Sequence, residues 1–263
     1  MSEINYQDSD NSSSGDSDAV SQQSDDLSCF PHPKISRYYR VKWFIDVLIV
    51  ILTSWFIIPT IVLFMFLVRV TSRGPIFYTQ VRCGLNGKPF NMIKIRSMVV
   101  DAESGGKPKW ARDGDPRVTT IGRIMRKLHI DELPQILNVL RGEMTVIGPR
   151  PERPEFVKKL STKIQGYEYR MCVLPGMTGY AQVNRQADNG LEDVERKLIL
   201  DLEYIEDVTI WFDFRILLAT IKIPRKLCGI YQTAENSRWS SYINLHEEHE
   251  SVVLSSAHNN EKK

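Results

Sequence analysis

The adjacent carboxylates Asp131 and Glu132 are the residues of this sequence whose types and spacing most directly suggest chemistry. They lie near the start of the stretch 129–142, HIDELPQILNVLRG. Pro134 is tolerated in a first helical turn and Gly142 suits a helix C-terminus, so the stretch predicts a helix with Asp131 as its N-cap. From this stretch alone, a simpler interpretation is that Asp131 caps the helix and has no chemical role.

A helix N-terminus would also give the two carboxylates a chemical role. Its free N–H groups carry partial positive charge, bind phosphate and keep a nearby carboxylate ionised. Asp131 would then be an anionic nucleophile, because carboxylates attack phosphorus to form aspartyl-phosphates. Asp131 and Glu132 also offer the hard oxygen ligands that Mg²⁺ takes together with substrate phosphates. The pair is therefore our candidate catalytic and metal site.

Several basic side chains could neutralise a phosphorylated substrate at this pair. They are Lys94, Arg96, Arg117, Arg126 and Arg150. Each of them alone could be a surface charge, but as a set around a carboxylate pair they favour a phosphorylated substrate. The distribution of charge agrees with an anionic partner. Residues 1–33 hold seven acids and no Lys or Arg, which leaves a net charge of +9 on residues 34–263.

An apolar segment over residues 43–68 predicts attachment to a membrane. Asp46, near its start, is its only charged residue. About 25 helical residues at ~1.5 Å each would span the ~30 Å hydrocarbon core, but a break at Pro59 would leave two legs too short to cross. Basic residues flank both ends, and Lys/Arg-rich flanks stay on the cytoplasmic side. We therefore favour a re-entrant helix–break–helix, with a single span as the alternative.

A β-hairpin and several amphipathic helices would position these residues. Two strands flank Leu85-Asn86-Gly87, and Asn-Gly is a strong signal for a tight turn. Lys94 and Arg96 lie two apart on the second strand and so share a face. Helical patterns cover 121–128, 132–141, 193–206 and 210–223. The last of these could be core or could lie at the membrane surface. The fold class that follows is α+β, mainly α.

Composition divides the chain into four parts. We predict a disordered acidic tail over 1–36, a membrane segment over 37–72, a catalytic domain over 73–232 and a polar tail over 233–263. The four cysteines are far apart, which indicates reduced thiols and neither a zinc site nor a disulfide framework. No aromatic–basic RNA-binding pattern is present, so nucleic acid is not an expected partner.

The order of motifs resembles the bacterial sugar transferase family, the monotopic phosphoglycosyl transferases. The resemblance covers about residues 40–230 and leaves out both tails. It rests on Asp46 with Pro59 in the apolar segment and on five further motifs: GPIFYTQVRCG, KIRSM, DPRVTTIGRIMRKLHIDELPQILNVLRGEM, IGPRPE and LPGMTGYAQVN. Since the chain shows no additional N-terminal spans, it resembles the minimal catalytic form of the family.

The resemblance implies a reaction and a location. The family moves a sugar-1-phosphate from a UDP-sugar to a polyprenyl (undecaprenyl) phosphate with Mg²⁺, as the first membrane step of exopolysaccharide or capsule synthesis. Carried over, Asp131 is the nucleophile that releases UMP, and Glu132 completes the dyad. Lys94, Arg126 and Arg150 would bind phosphate. The membrane helix would re-enter at Pro59, and amphipathic interfacial helices would hold a small domain at the cytoplasmic face of the bacterial inner membrane. Downstream glycosyltransferases would take up the product.

Three positions depart from the family's pattern. After Asn184 the family usually has Gly-Arg-Asn, whereas this sequence has Arg185-Gln-Ala. Arg185 is carried over as a substrate-binding residue, although it lies one position earlier than the arginine of the family's pattern. The identity of the sugar stays open. Ile58 precedes the proline where a small polar residue is common. His129 stands where Ser or Thr is common, and we expect it to be a neighbour of Asp131 rather than a base.

Two other hypotheses use some of the same features. A non-enzymatic membrane scaffold with a basic face for anionic lipid would explain the charge and the apolar segment. It would not explain the DELP motif beside GPRPE. A single-pass enzyme of another phosphotransfer class would explain the acids and the cations but would differ in its topology.

Overall fold

A computed structural model describes residues 32–100, 102, 115–184, 191–221 and 237–243. The predicted acidic tail up to residue 31, Arg185 and most of the predicted polar tail lie outside these ranges. The described part is mostly helical with two small sheets, which confirms the mainly helical α+β class. The helices and strands in chain order are α1 Tyr39–Thr71, β1 Phe77–Cys83, β2 Pro89–Ile95, α2 Thr120–Lys127, α3 Ile136–Leu140, β3 Thr145–Ile147, α4 Pro154–Ser161, β4 Gly176–Thr178, α5 Tyr180–Asn184, α6 Leu191–Asp207, α7 Ile210–Thr220 and α8 Ser240–Ile243.

The apolar segment forms one helix of 33 residues, α1. At ~1.5 Å per residue its length is about 50 Å, enough to cross a membrane, and the mean hydropathy of its most apolar window is 2.6. The helix continues through Pro59, so the predicted division into two helices is not seen. Pro59 removes one backbone N–H, the one that would bond to the carbonyl of Trp55, so the helix loses a single backbone hydrogen bond at this point.

Both ends of α1 are fastened to the rest of the fold by buried polar groups. Near the start, Lys42 pairs with Asp213 of α7, and Asp46 accepts a hydrogen bond from Thr145 of β3. After the last turn, Arg96 donates to the carbonyls of Ser72 and Arg73, both at 2.9 Å. The apolar side chains in the middle are largely exposed: Ile51, Leu52, Trp55, Phe56, Val62 and Leu63.

The predicted hairpin is confirmed. β1 and β2 pair antiparallel, with Phe77 opposite Ile95 and Cys83 opposite Pro89. Asn86 (φ 53°) and Gly87 (φ 72°) both have left-handed backbones, which is why this turn needs an Asn-Gly pair.

The second sheet was not predicted. It pairs β3 and β4 in parallel over three residues each, with Thr145 opposite Gly176 and Ile147 opposite Thr178. The two backbone segments approach closely here, and a Cβ on Gly176 would lie 2.1 Å from the Gly148 nitrogen. The sheet thus fixes the start of the loop that carries the predicted Arg150.

The main core lies between α6, α7, β3 and the first half of α1. The apolar positions predicted for α6 are all buried: Val194, Leu198, Leu202 and Ile205. Helix α7 buries Ile216 in this core but exposes Trp211 and Phe214, which stack at 5.4 Å between ring centroids. One face of α7 is thus core, as the first alternative for 210–223 predicts, and the membrane-surface alternative stays a prediction for its exposed face.

Candidate active site

The carboxylate pair lies on a 3₁₀ helix, Ile130–Gln135, which leads directly into α3. The prediction that Asp131 is the N-cap is wrong. The N-cap is His129, whose left-handed backbone (φ 55°) turns the chain, and its side chain makes no capping hydrogen bond. Pro134 lies inside this short helix, and Gly142 has the left-handed φ of 72° expected after a helix end. Asp131 thus faces inward from the first turn instead of closing it.

Glu132 is held by two of the predicted cations. Lys94 Nζ lies 2.7 Å from Glu132 Oε1. Arg150 Nη2 lies 2.6 Å from the same oxygen, and its Nη1 lies 3.1 Å from Oε2, which makes a bidentate pair. The hairpin supplies Lys94 through β2, and the loop after β3 supplies Arg150. Three separate parts of the chain therefore meet at the carboxylate of Glu132.

The two neighbouring acids differ in their electrostatic environment. Burial would raise the pKa of Glu132, but Arg150 and Lys94 outweigh it and hold that pKa well below its ordinary value. Burial raises the pKa of Asp131, the charge of Glu132 raises it further, and Lys94 and Arg126 oppose the shift only in part. Burial also lowers the pKa of Lys94, against the attraction of Glu132. Glu132 is therefore held as an anion, whereas the cations near Asp131 do not fully offset the effect of its burial.

Asp131 is buried, at 6% exposed, and carries no ion pair among the residues that the structure describes. A carboxylate of this kind is unusual, because buried charges are ordinarily paired. Arg126, one helix earlier, acts on Asp131 only through its charge, and its Nε donates to Ser97 Oγ at 2.9 Å. This arrangement leaves the oxygens of Asp131 available to a reacting group or to a cation.

The other predicted cations have different surroundings. Arg96 is buried and donates to the end of α1, so the i, i+2 relation with Lys94 does not bring both to one carboxylate. Arg117 pairs with Asp115, with Nη2 and Oδ2 at 2.6 Å. Arg185 lies outside the described residues.

Sequence reasoning missed two buried polar residues beside the site. Asn138 of α3 bonds to the backbone of β2, and Arg170 donates to the backbone carbonyl of Arg150. The available signal for Asn138 was a polar residue inside the apolar run ILNVL. For Arg170, in the 3₁₀ helix Tyr167–Met171, the sequence carried no comparable signal.

The donor set at the pair suits a single hard cation better than a multi-ligand metal centre. No group of three or more His, Cys, Asp or Glu that could hold a metal occurs in the described ranges. Both oxygens of Glu132 already accept from cations, whereas those of Asp131 have no cation partner among the residues that the structure describes. Mg²⁺ usually takes one or two carboxylates, with phosphates and water as the other ligands. Asp131 fits that requirement, and Glu132 fits it less well.

Comparison with known proteins agrees with the motifs. The family described as "Bacterial sugar transferase" matches residues 37–226. An N-acetylgalactosaminephosphotransferase of Aeromonas hydrophila, acting from UDP-N-acetylgalactosamine to undecaprenyl phosphate by its name, is 38% identical over 185 residues, 70% of this chain and 44% of that protein. The UDP-glucose:undecaprenyl-phosphate glucose-1-phosphate transferase of Escherichia coli (strain K12) is 38% identical over 178 residues, 67% of this chain and 38% of that protein.

A relative of more similar length also matches. The UDP-glucose:undecaprenyl-phosphate glucose-1-phosphate transferase of Caulobacter vibrioides is 39% identical over 194 residues, 73% of this chain and 72% of that protein. The chain thus spans less than half of the Aeromonas and Escherichia relatives but most of the Caulobacter relative. Since the family match covers well over half of the chain, this protein belongs to the bacterial sugar transferase family.

Proposed function

We propose that this protein transfers a sugar-1-phosphate from a UDP-sugar to undecaprenyl phosphate or a similar polyprenyl phosphate and releases UMP. One observation carries the mechanism: in the described part of the chain, Asp131 is a buried carboxylate without an ion pair, and it lies next to a carboxylate that two cations hold. The names of the relatives support the substrate classes. The product would enter bacterial exopolysaccharide, capsule or related glycan synthesis.

In the first step, an oxygen of Asp131 attacks the phosphorus next to the sugar. The bond from that phosphorus to the bridging oxygen breaks, and UMP leaves with the oxygen and its electron pair. Asp131 then carries a covalent phosphosugar. Lys94 and Arg150, which contact the neighbouring Glu132, would offset part of the negative charge that builds up on the diphosphate. Arg126 would add a more distant charge.

In the second step, an oxygen of the lipid phosphate attacks the same phosphorus. The Asp131–phosphorus bond breaks, the carboxylate is restored, and a polyprenyl diphosphate sugar is formed. Mg²⁺, if held by Asp131 together with substrate phosphate oxygens, would supply the positive charge that both anionic substrates need. Glu132 keeps Lys94 and Arg150 in place throughout, because its oxygens hold both. Two sequential substrates at one nucleophile predict ping-pong kinetics.

We also propose that α1, although one continuous helix, is kinked at Pro59, so that it enters and leaves the bilayer on the cytoplasmic side with Pro59 as its deepest point. One domain holds both ends of the helix, through Lys42 and Asp46 at the start and through Arg96 at the end. A domain on one face of a membrane can reach both ends only if both ends lie at that face. The exposed side chains around Pro59 would then contact lipid.

Helix α7 would extend the surface that contacts lipid. Its Phe212 and Leu217, like Ile57 and Ile61 of α1, are partly buried and pack against the main core. Trp211 and Phe214 of α7 stay exposed, and stacked aromatic rings suit the headgroup region of a membrane. The proposal places the protein at the bacterial inner membrane with its active site at the headgroups, where a soluble sugar nucleotide and a lipid phosphate can meet.

The decisive experiment compares Asp131→Asn with wild type for UMP release from a panel of UDP-sugars, with Mg²⁺ and undecaprenyl phosphate in detergent or nanodiscs. An amide cannot form the phosphosugar intermediate, so we expect a loss of at least about 10³-fold. Asp207→Asn, at the exposed end of α6, is the matched control and should keep wild-type turnover. Unchanged release by Asp131→Asn would exclude Asp131 as the nucleophile. EDTA should abolish release in the wild type, and added Mg²⁺ should restore it.

A further inference from the structure

Lys94 and Arg150 both contact Glu132, and the backbone at or next to each of them is hydrogen-bonded by a buried polar side chain from elsewhere in the fold. We propose that Asn138 and Arg170 are positioning residues, which hold Lys94 and Arg150 respectively in contact with Glu132. The inference rests on the proposed function, because it concerns the alignment of the same site. It is carried by the hydrogen bonds of the two residues and by their burial.

Asn138 fastens α3 to strand β2. Its side-chain oxygen accepts from the N–H of Ile93 (3.2 Å), and its amide nitrogen donates to the carbonyl of Asn91 (2.9 Å). The side chain thus bonds to two backbone groups of alternate residues, as a neighbouring strand would. The amide nitrogen also donates to Glu143 (2.7 Å), and Asn138 is 0% exposed. All hydrogen-bonding groups of this amide can therefore be satisfied without water.

The consequence for the site follows from chain continuity. Lys94 is the next residue after Ile93 on β2, and α3 begins directly after the 3₁₀ helix that carries Glu132. Asn138 therefore links the two elements that supply the two ends of the 2.7 Å contact between Lys94 and Glu132. A displacement of about 1 Å between these elements would take that contact outside hydrogen-bonding distance.

Arg170 holds the backbone of Arg150 in place. Its Nη2 donates to the backbone carbonyl of Arg150 (3.0 Å) and lies 2.7 Å from Oδ2 of Asp201 on α6. Its Nη1 donates to the Tyr167 hydroxyl (2.7 Å). Arg170 is 4% exposed, and its planar guanidinium donates hydrogen bonds in fixed directions to Tyr167 and Arg150 while it forms an ion pair with Asp201. The backbone of Arg150 is thereby held from behind while its side chain reaches Glu132.

Crossed double-mutant cycles test this assignment. Asn138→Ser and Arg170→Lys are each made in wild type, in Lys94→Gln and in Arg150→Gln, and kcat/KM for UMP release is measured with saturating lipid phosphate. Serine is too short to bridge both backbone groups of β2. Lysine keeps the charge beside Asp201 but cannot reach all three partners. We expect each variant alone to lose about 10- to 100-fold.

The pattern of losses distinguishes positioning from support of the fold. Asn138→Ser should cost less than about threefold in the Lys94→Gln background but its full loss in Arg150→Gln, and Arg170→Lys should show the reverse. Equal losses in both backgrounds would overturn the inference. Glu143→Gln removes the negative charge from a partner of Asn138 while leaving the bonds to β2, so it should remain near wild-type activity.

Two further controls keep the outcome unambiguous. Thermal midpoints establish that each variant is folded at the assay temperature. If Asn138→Ser is unfolded there, the cycle is run at a lower temperature at which the variant is folded, and Arg170→Lys tests the inference independently. Absence of UMP release by wild type would overturn the proposed function itself. Wild-type release with equal losses in the two backgrounds would overturn the positioning roles alone.

Discussion

Replacing Glu132 with Gln tests how strongly the site depends on its fixed anion. The substitution keeps the shape of the side chain and one acceptor oxygen but removes the charge that Lys94 and Arg150 share through three contacts of 2.6–3.1 Å. Hydrogen bonds to charged groups contribute about 1.5–3 kcal/mol each, and Gln can keep one of the three with reduced strength. The Lys94 and Arg150 side chains are 16% and 33% exposed, so water can partly replace the lost partner. We expect a net loss of about 2–3 kcal/mol of unfolding free energy.

The measurement is a thermal midpoint in detergent, with a surface ion pair as the control. A loss of 2–3 kcal/mol corresponds to a Tm lower by about 4–12 °C in a domain of this size. Glu192→Gln breaks the exposed i, i+4 pair with Arg196 and should change Tm by no more than about 1–2 °C. If Glu132→Gln matched this control, the clamp would contribute no more than a surface pair, and the account of the site as a pre-assembled cluster would be wrong.

Two further predictions concern the fold around the site. Gly122→Ala in α2 should destabilise the protein by about 3 kcal/mol or more, seen as a lower Tm, because its Cβ would lie 1.9 Å from the carbonyl oxygen of Ser97 and neither backbone can move freely. Burial, and then the charge of Asp207, raises the pKa of Glu203 to about 7. Because this pKa is higher in the folded state, the stabilising contribution is complete below about pH 4.5 and is lost as pH rises through 7. Glu203→Gln should therefore raise Tm over wild type at pH 8 and much less at pH 5, and an equal effect at both pH values would contradict the shift.

The sequence predicted those elements whose signal is local. Asn86 and Gly87 predicted the hairpin, because few residue pairs adopt left-handed conformations at two successive positions. The periodic apolar residues of α6 predicted which face of this helix is buried. The parallel pair β3–β4 was missed because three-residue strands buried on both sides show no alternation, and their partner lies about thirty residues away in the chain.

At the candidate site, sequence order gave the identity of the residues but not all of their partners. Lys94 and Arg150 were predicted near the carboxylate pair, and both lie on Glu132. Arg96 was grouped with Lys94 by the two-residue repeat of a strand, yet its longer side chain reaches the end of α1. Asp131 was expected to cap a helix, and the unusual backbone of His129 prevented this. Such differences arise from tertiary contacts, which a residue pattern does not encode.

Strand β3 couples the membrane helix to the active site. Thr145, its first residue, donates to Asp46 of α1, and the carbonyl of Ile147, its last, accepts from Tyr204 (2.9 Å), which also bonds to Asp213 (2.7 Å). Arg150 follows only three residues after this strand. The groups that fix α1 therefore also fix the start of the loop that supplies Arg150 to Glu132. Since packed cores transmit displacement instead of absorbing it, the position of α1 and the alignment of Arg150 are determined together.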